Sequence, residues 1–283
     1  MTRRWTNLIA ADVQKLCDIT PPEKYAHGEY SDGPNFRGFS DALVGKSFTF
    51  RFDEGLVLNY TINDLHSLTW NDGGEEHNDY CDITEGAENV YLIAHFVKAS
   101  NPPTSHMIVL DLDNGLVTAT IAKLCQIPDN AREVVRDFYA GLTDGFADPG
   151  YRHDFTEDMV GKAIYWHYFD EEPNFTIKHI YVASNWYTVC GCKNGKSSWA
   201  ASNPCAYIKI RDGVYIFTFA EDRQAGTQCF FLMDLINMHD TGCFFGCAPT
   251  GLECYTVAAK GEWTTPWSRF SGAPDPEKAP WEK

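Results

Sequence analysis

No stretch of this 283-residue chain approaches the roughly 18 consecutive apolar residues of a membrane-spanning helix. Basic charge is scarce: 23 Lys and Arg stand against 39 Asp and Glu, a formal net charge of −16, and no Lys/Arg run occurs. Neutralising phosphates needs a basic patch, so nucleic acid is excluded as a partner, and an anionic membrane surface by the same argument. Met1-Thr2-Arg3-Arg4 is basic but precedes no apolar core, because Asp12, Gln14 and Lys15 break the stretch from Leu8 to Cys17. No secretory leader is read there, and a reducing, cytoplasmic setting is expected. No Gly-x-Gly-x-x-Gly follows a strand and no Gly-x-Ser-x-Gly elbow occurs. The segment Ser40–Ser47 ends in Gly45-Lys46-Ser47 but opens on serine and runs into a strand, which rules out a phosphate loop. No cofactor is therefore expected. The ten cysteines lack the paired C-x₂-C spacing of a structural zinc site. Cys190 and Cys192 with Cys205, and Cys243 with Cys247, are the sets to check as ligands; free buried thiols are the reading favoured.

What the chain does have is aromatic residues, 8 Trp, 14 Tyr and 18 Phe, together with short alternating runs. Phe48, Phe50 and Phe52 alternate with Ser47, Thr49 and Arg51. Leu56, Leu58, Tyr60 and Ile62 alternate with Val57, Asn59 and Thr61. Such period-two runs between turn residues read as antiparallel hairpins. Further strands are expected over Leu65–Trp70, Val90–Val97, Ser105–Leu112 and Leu116–Lys123, with Asp113-Asn114-Gly115 as a hairpin turn. Asn7–Cys17 reads as a short amphipathic helix. Pro128-Asp129 reads as a helix start, with helical spacing over Ala131–Tyr139 and a linker over Thr143–Gly150. Strands resume from Lys162 to about Lys260, and the proline-bearing tail after Trp263 reads as extended.

The two strand-rich halves repeat one another. Val44-Gly45-Lys46 opens the first and Val160-Gly161-Lys162 the second. Val90-Tyr91 and Val214-Tyr215 each begin a late strand. Leu110-Asp111-Leu112 and Met233-Asp234-Leu235 follow at matching distance, and Thr118-Ala119-Thr120 and Thr241-Gly242-Cys243 come next. Two copies of one meander of about seven strands are implied, each closed to remove its exposed edges. The domain layout read from this is an N-terminal extension (1–40), a first barrel module (41–126), a helical linker (127–152), a second barrel module (153–262) and a Pro-rich tail (263–283).

The series His153, Thr156, Asp158, Val160-Gly161-Lys162, then His179-Ile180-Tyr181-Val182, then Cys205, Tyr207, Lys209-Ile210, resembles the MoaF family, named for molybdenum cofactor biosynthesis protein F. So do Val214-Tyr215-Ile216-Phe217 through Glu221 and Thr241-Gly242 through Phe245-Gly246. In the first half, Gly55 to Tyr60 through Trp70, and Val109-Leu110-Asp111-Leu112 to Gly115, are similar to the family's N-terminal module. The resemblance covers roughly residues 40–260. It implies a mostly β chain of two antiparallel, calycin-like (lipocalin-like) barrel modules, here with a short N-terminal helix and a helical linker. Lys178 and Ala220 depart from the family pattern, which the resemblance gives as acidic and Arg respectively.

Candidate chemistry follows from residues placed among aromatics. His95, on one face with Tyr91 and Ile93, reads either as a general acid or base inside a barrel or as a satisfied core histidine. Glu221 shares a face with Tyr215, Phe217 and Phe219; it reads either as a proton-transfer carboxylate or as a rim charge paired with Arg223. His167 and His179 could project from adjacent strands toward one cavity, where with Tyr187, Tyr215 and Glu221 they would form a polar cluster among aromatics; Tyr91, Tyr165, Trp186 and Phe219 are further candidate substrate-binding residues. A metal held by His167, His179 and Glu221 is a weaker reading. His77 and His106 read as exposed. Trp70, Trp166, Trp186 and Trp199 read as wall or core. The expected function is a small-molecule-binding barrel acting as a cofactor-independent lyase, isomerase or cyclase on a small aromatic or secondary-metabolite substrate. The alternative is a non-catalytic carrier linked to molybdenum cofactor metabolism. The expected partner is this ligand, with room left for a homodimer.

Overall fold

The computed structural model describes residues 15, 26–27, 35–98, 100–124, 134–168, 175–194, 196–221, 225–248 and 251–264. Strand β1 (Ala26–His27) comes first. Eight antiparallel strands then close into a barrel: β2 (Ser47–Phe52), β3 (Val57–Asp64), β4 (Ser67–Asn71), β5 (His77–Ala87), β6 (Val90–Val97), β7 (Thr104–Asp111), β8 (Leu116–Leu124) and β9 (Val134–Thr143). The seam is the β2–β9 ladder, Phe50 opposite Thr143 and Phe52 opposite Gly141. Glycine is needed at 141, since a Cβ there would lie 2.1 Å from the Arg51 carbonyl oxygen.

After β10 (Asp154–Phe155), the second barrel runs through β11 (Ala163–His167), β12 (Phe175–Ala183), β13 (Trp186–Lys193), β14 (Lys196–Arg211), β15 (Val214–Ala220), β16 (Thr227–Asp234), β17 (His239–Ala248) and β18 (Gly251–Trp263). It closes because β18 pairs with both β17 and β11; β1 adds to β18 in parallel and β10 pairs with β14.

The period-two runs and the Asp113-Asn114-Gly115 turn form as their residues dictate, with Gly115 at φ +66°. Two expectations fail. Ala131–Tyr139 is not helical from Val134 onward, because that segment is the eighth strand and seals the edges of β2 and β8. His77–Ala87, too polar to signal a strand, forms β5, so each barrel has eight strands. The expected helix over Asn7–Cys17 falls outside the described residues but for Lys15, as does the tail from residue 265 onward. Among the described residues no helix is long and apolar enough to cross a membrane.

The repeat is realised in register. Val90 pairs with Asp111 and Val214 with Asp234. Each aspartate caps the hairpin that follows it. Asp111 accepts from the Asp113 amide and from Asn114 Nδ2, at 3.0 and 2.8 Å. Asp234 accepts from the amides of Ile236 and Asn237 and from Asn237 Nδ2, at 2.9, 3.0 and 2.7 Å.

Each barrel has its own interior cluster, and a third cluster lies between them. Leu92, Phe96, Met107 and Val109 of the first barrel pack there against Ile216, Phe230, Leu232 and Phe245 of the second. Phe96 and Phe245 meet edge to face at 5.0 Å. Polar links flank this seam: Thr256 Oγ1 donates to Asp82 (2.7 Å), and Thr241 bonds Thr84 (3.1 Å). Strands β6, β7, β15 and β16 are thus buried on both faces, which is why their sequences read as near-continuous apolar runs rather than alternations.

Candidate functional site

In the first barrel, Tyr60 on β3 points inward and its hydroxyl lies 2.8 Å from Nδ1 of both His95 and His106. His95 Nε2 is 3.1 Å from Asp79 Oδ2, which also accepts from Trp70 Nε1 at 2.7 Å. The proton positions follow from valence. A carboxylate only accepts, so His95 Nε2 carries hydrogen. Burial pushes the His95 pKa down, so its Nδ1 is bare and accepts from the Tyr60 hydroxyl. That hydroxyl has one proton, so the second bond runs from His106 Nδ1–H to the Tyr60 oxygen. Burial holds the Tyr60 pKa well above its usual value and that of His106 well below. For Asp79, burial is outweighed by the bonds from His95 and Trp70, and its pKa falls. Asp79, His95, Tyr60 and His106 form one chain in which these bonds satisfy one another.

The second barrel is different. His179 on β12 is buried among Tyr187, Phe217, Phe231 and Phe219, with ring centroids at 5.2, 5.4, 6.3 and 6.4 Å. Its Nδ1 has no hydrogen-bond partner among the described residues. Burial alone lowers its pKa to about 3, so the ring is neutral. Asp240 on β17 shares the inner face with its ladder neighbours Met233 and Ala259. Tyr168 donates to Asp240 Oδ2 at 2.7 Å, while Oδ1 is sealed and has no partner among the described residues. Burial raises the Asp240 pKa to about 8 against the opposing bond from Tyr168. The carboxyl is therefore protonated at neutral pH, and with Oδ2 accepting, its proton rests on Oδ1. Phe231 lies 6.3 Å from His179 and 6.1 Å from Tyr168, the donor to Asp240. One aromatic barrel interior thus holds a neutral acid and a neutral imidazole, each with a buried atom that has no partner among the described residues.

Of the residues singled out in the sequence, His179, Tyr187 and Phe219 line this lumen. Glu221 is buried just past the end of β15, close enough for its charge to bear on Tyr187 and Cys229. Tyr215 faces inward but spends its hydroxyl on Asp158, at 3.0 Å. Tyr91 and His95 lie inside the first barrel. His167 does not join His179. On β11, Ile164 and Trp166 take the inward positions, which turns His167 and Tyr165 outward, His167 toward Glu262 at 3.9 Å and Tyr165 under Lys178. A metal set of His167, His179 and Glu221 is ruled out by that alternation. Trp186 sits at the β12–β13 turn, 40% exposed, and is not a wall of the lumen. Trp70 and Trp166 are core, and Trp199 packs over Gly191. His106, expected at the surface, is buried in β7; His77 is half-buried at the start of β5. Arg223, offered as a partner for Glu221, lies outside the described residues.

Tyr60, Asp79, His106, Tyr168 and Asp240 escaped the sequence reading. Asp79 lies in a segment that reads as a polar loop. Asp240 stands between His239 and Thr241 in a strand with no apolar alternation to show which side faces inward. The one usable signal was the repeat, which puts Asp240 six residues after the turn-capping Asp234, the place that the interior residue Val117 holds after Asp111.

Residues 33–126 match the model of the MoaF N-terminal domain, and residues 153–265 match that of the MoaF C-terminal domain. No curated protein matches the chain.

Proposed function

Since the chain belongs to the MoaF family and carries both of its domains in order, we propose that it binds a small, flat, largely apolar molecule inside the second barrel and moves a proton on it. Asp240 is the acid and His179 the base. The observation that carries this reading is the pair of buried atoms without partners, His179 Nδ1 and Asp240 Oδ1, in one aromatic interior. Buried polar atoms are otherwise almost always bonded, so a ligand bearing one acceptor and one removable proton is what would satisfy them. In the first barrel the imidazole and carboxylate are already bonded through the Asp79, His95, Tyr60 and His106 chain, and the unpartnered atom on its inner face is the neutral hydroxyl of Thr143.

An imidazole held so far below its usual range is a weak base in isolation. It takes a proton only as Asp240 gives one up, so that the low-dielectric interior never holds a lone charge. This favours a concerted shift: Asp240 Oδ1–H protonates one atom of the substrate while His179 Nδ1 removes a proton from another, and the substrate keeps its charge. Double-bond isomerisation, ring closure and elimination share this pattern, which supports reading the chain as a lyase, isomerase or cyclase that needs no cofactor.

The test uses protein purified without added ligand. Native mass spectrometry should show a retained small organic mass, and after incubation in D₂O the recovered compound should carry deuterium. His179→Phe should keep the mass and lose the exchange. A compound retained by the wild type without any exchange would make the chain a carrier and end the catalytic reading.

A further inference from the structure

Arg136 belongs to the first barrel but reaches toward the second. Val134, Arg136 and Phe138 alternate on the outer face of β9; Val134 joins the cluster between the barrels and Phe138 packs against it. Arg136 Nη2 donates to the Pro204 carbonyl on β14 at 3.5 Å, a long bond. Its Nη1 is sealed from solvent and has no hydrogen-bond partner among the described residues. Its charge bears on the thiols of Cys205 and Cys229, both interior residues of the second barrel, and burial lowers its own pKa. Those two cysteines flank Phe219 in the β14–β15 and β15–β16 ladders. Phe219 in turn lies 4.6 Å from Tyr187 and 6.4 Å from His179. Arg136 therefore stands at the Phe219 end of the aromatic lumen. Asn203, bonded to the Tyr187 hydroxyl at 3.1 Å, and Glu221 are the other polar groups of that end. No ion pair joins Glu221 to Arg136 among the described residues.

A guanidinium offers a fork of donors matched to a planar two-oxygen acceptor. Left with one long bond to a carbonyl, this half-buried guanidinium has a sealed donor that no group among the described residues meets. Resting on the reading of the second barrel as a ligand site, we propose that Arg136 is a specificity residue lent by the first barrel, and that the ligand is an aryl carboxylic acid whose carboxylate meets Nη1 while its ring lies among Phe217, Phe219 and Phe231. On this view the ligand site is complete only when both barrels are present.

Calorimetric titrations with benzoate and 2-naphthoate, each against the matching alcohol, test this. The wild type should bind an acid at least tenfold more tightly than its alcohol. Arg136→Met should erase that preference and leave alcohol binding unchanged. Without ligand, Arg136→Met should unfold at the same temperature as the wild type or higher, because a charge without a partner has been removed. Equal affinity of the wild type for acid and alcohol, or a preference that survives Arg136→Met, would overturn the role of Arg136 and leave the second-barrel reading standing. Failure of acids and alcohols alike to bind would overturn both.

Discussion

Tyr60 and His179 hold the same place in their two barrels. Ile62, two residues after Tyr60, takes the Gly45 amide on its carbonyl and gives its own amide to the Lys46 carbonyl, at 2.8 and 3.0 Å. Tyr181, two residues after His179, does the same with Gly161 and Lys162, at 2.8 and 2.9 Å. Following the ladders outward from this match sets His95 against Phe219, His106 against Cys229 and Asp79 against Asn203. The bonded chain of the first barrel is thus replaced in the second by rings and a thiol around a single imidazole.

Tyr60→Phe tests the structural weight of that chain. It leaves His95 Nδ1 and His106 Nδ1 without their partner in a sealed interior. Losing one buried partner costs about 1–3 kcal/mol, so the combined loss should be about 2–4 kcal/mol in urea unfolding. Ligand binding by the second barrel should not change.

Stability should depend on pH in two opposed ways. His179 titrates near 6.5 when unfolded and at about 3 when folded. Between those values the unfolded chain holds the extra proton, so stability rises with pH and the gain is complete above 6.5. Asp240 is raised from 3.8 to about 8. Across that range the folded chain holds the extra proton, so stability falls as pH rises. From pH 6.5 to 8 only Asp240 of the pair titrates. Urea midpoints should decline there in the wild type, and the decline should be smaller in Asp240→Asn.

Gly86→Ala probes the seam between the barrels. A Cβ at this position would lie 2.5 Å from Leu232 Cδ2 and 2.6 Å from its Cγ, inside the shared cluster. Overpacking of this kind costs about 1–3 kcal/mol, and calorimetry should show one lowered transition for both barrels together.

Asp234→Ala removes the cap from the β16–β17 hairpin, with three bonds lost. A loss of about 1–2 kcal/mol is expected in thermal unfolding. Asp111→Ala should behave alike, which would show that the duplicated turns do the same work.

The sequence made the architecture readable where one face of a strand is wet. Phe48, Phe50 and Phe52 alternate because β2 has a solvent side, and the repeated Val-Gly-Lys and Val-Tyr pairs marked the duplication. Legibility failed where that contrast is missing. β5 carries Asp79 inward to His95 and Asp82 outward to Thr256, so both of its faces are polar yet buried. β9 has local helical spacing, which closure of the barrel overrides. Within the site, His179, Tyr187 and Phe219 were visible because they sit in aromatic runs. Asp240 was not, since burial rather than any neighbouring residue type gives it its chemistry.

The shared seam leaves each barrel with one clamped wall and one free wall. Strands β6, β7, β15 and β16 are held on both faces, while β2–β4 and β11–β13 keep partly or fully exposed positions. Breathing motions are drawn from the least packed ladders. Amide exchange should therefore be fastest across β11–β13. On the proposed reading, a molecule entering the second barrel would pass through that wall or its turns, and His179 on β12 lies in this less tightly held wall.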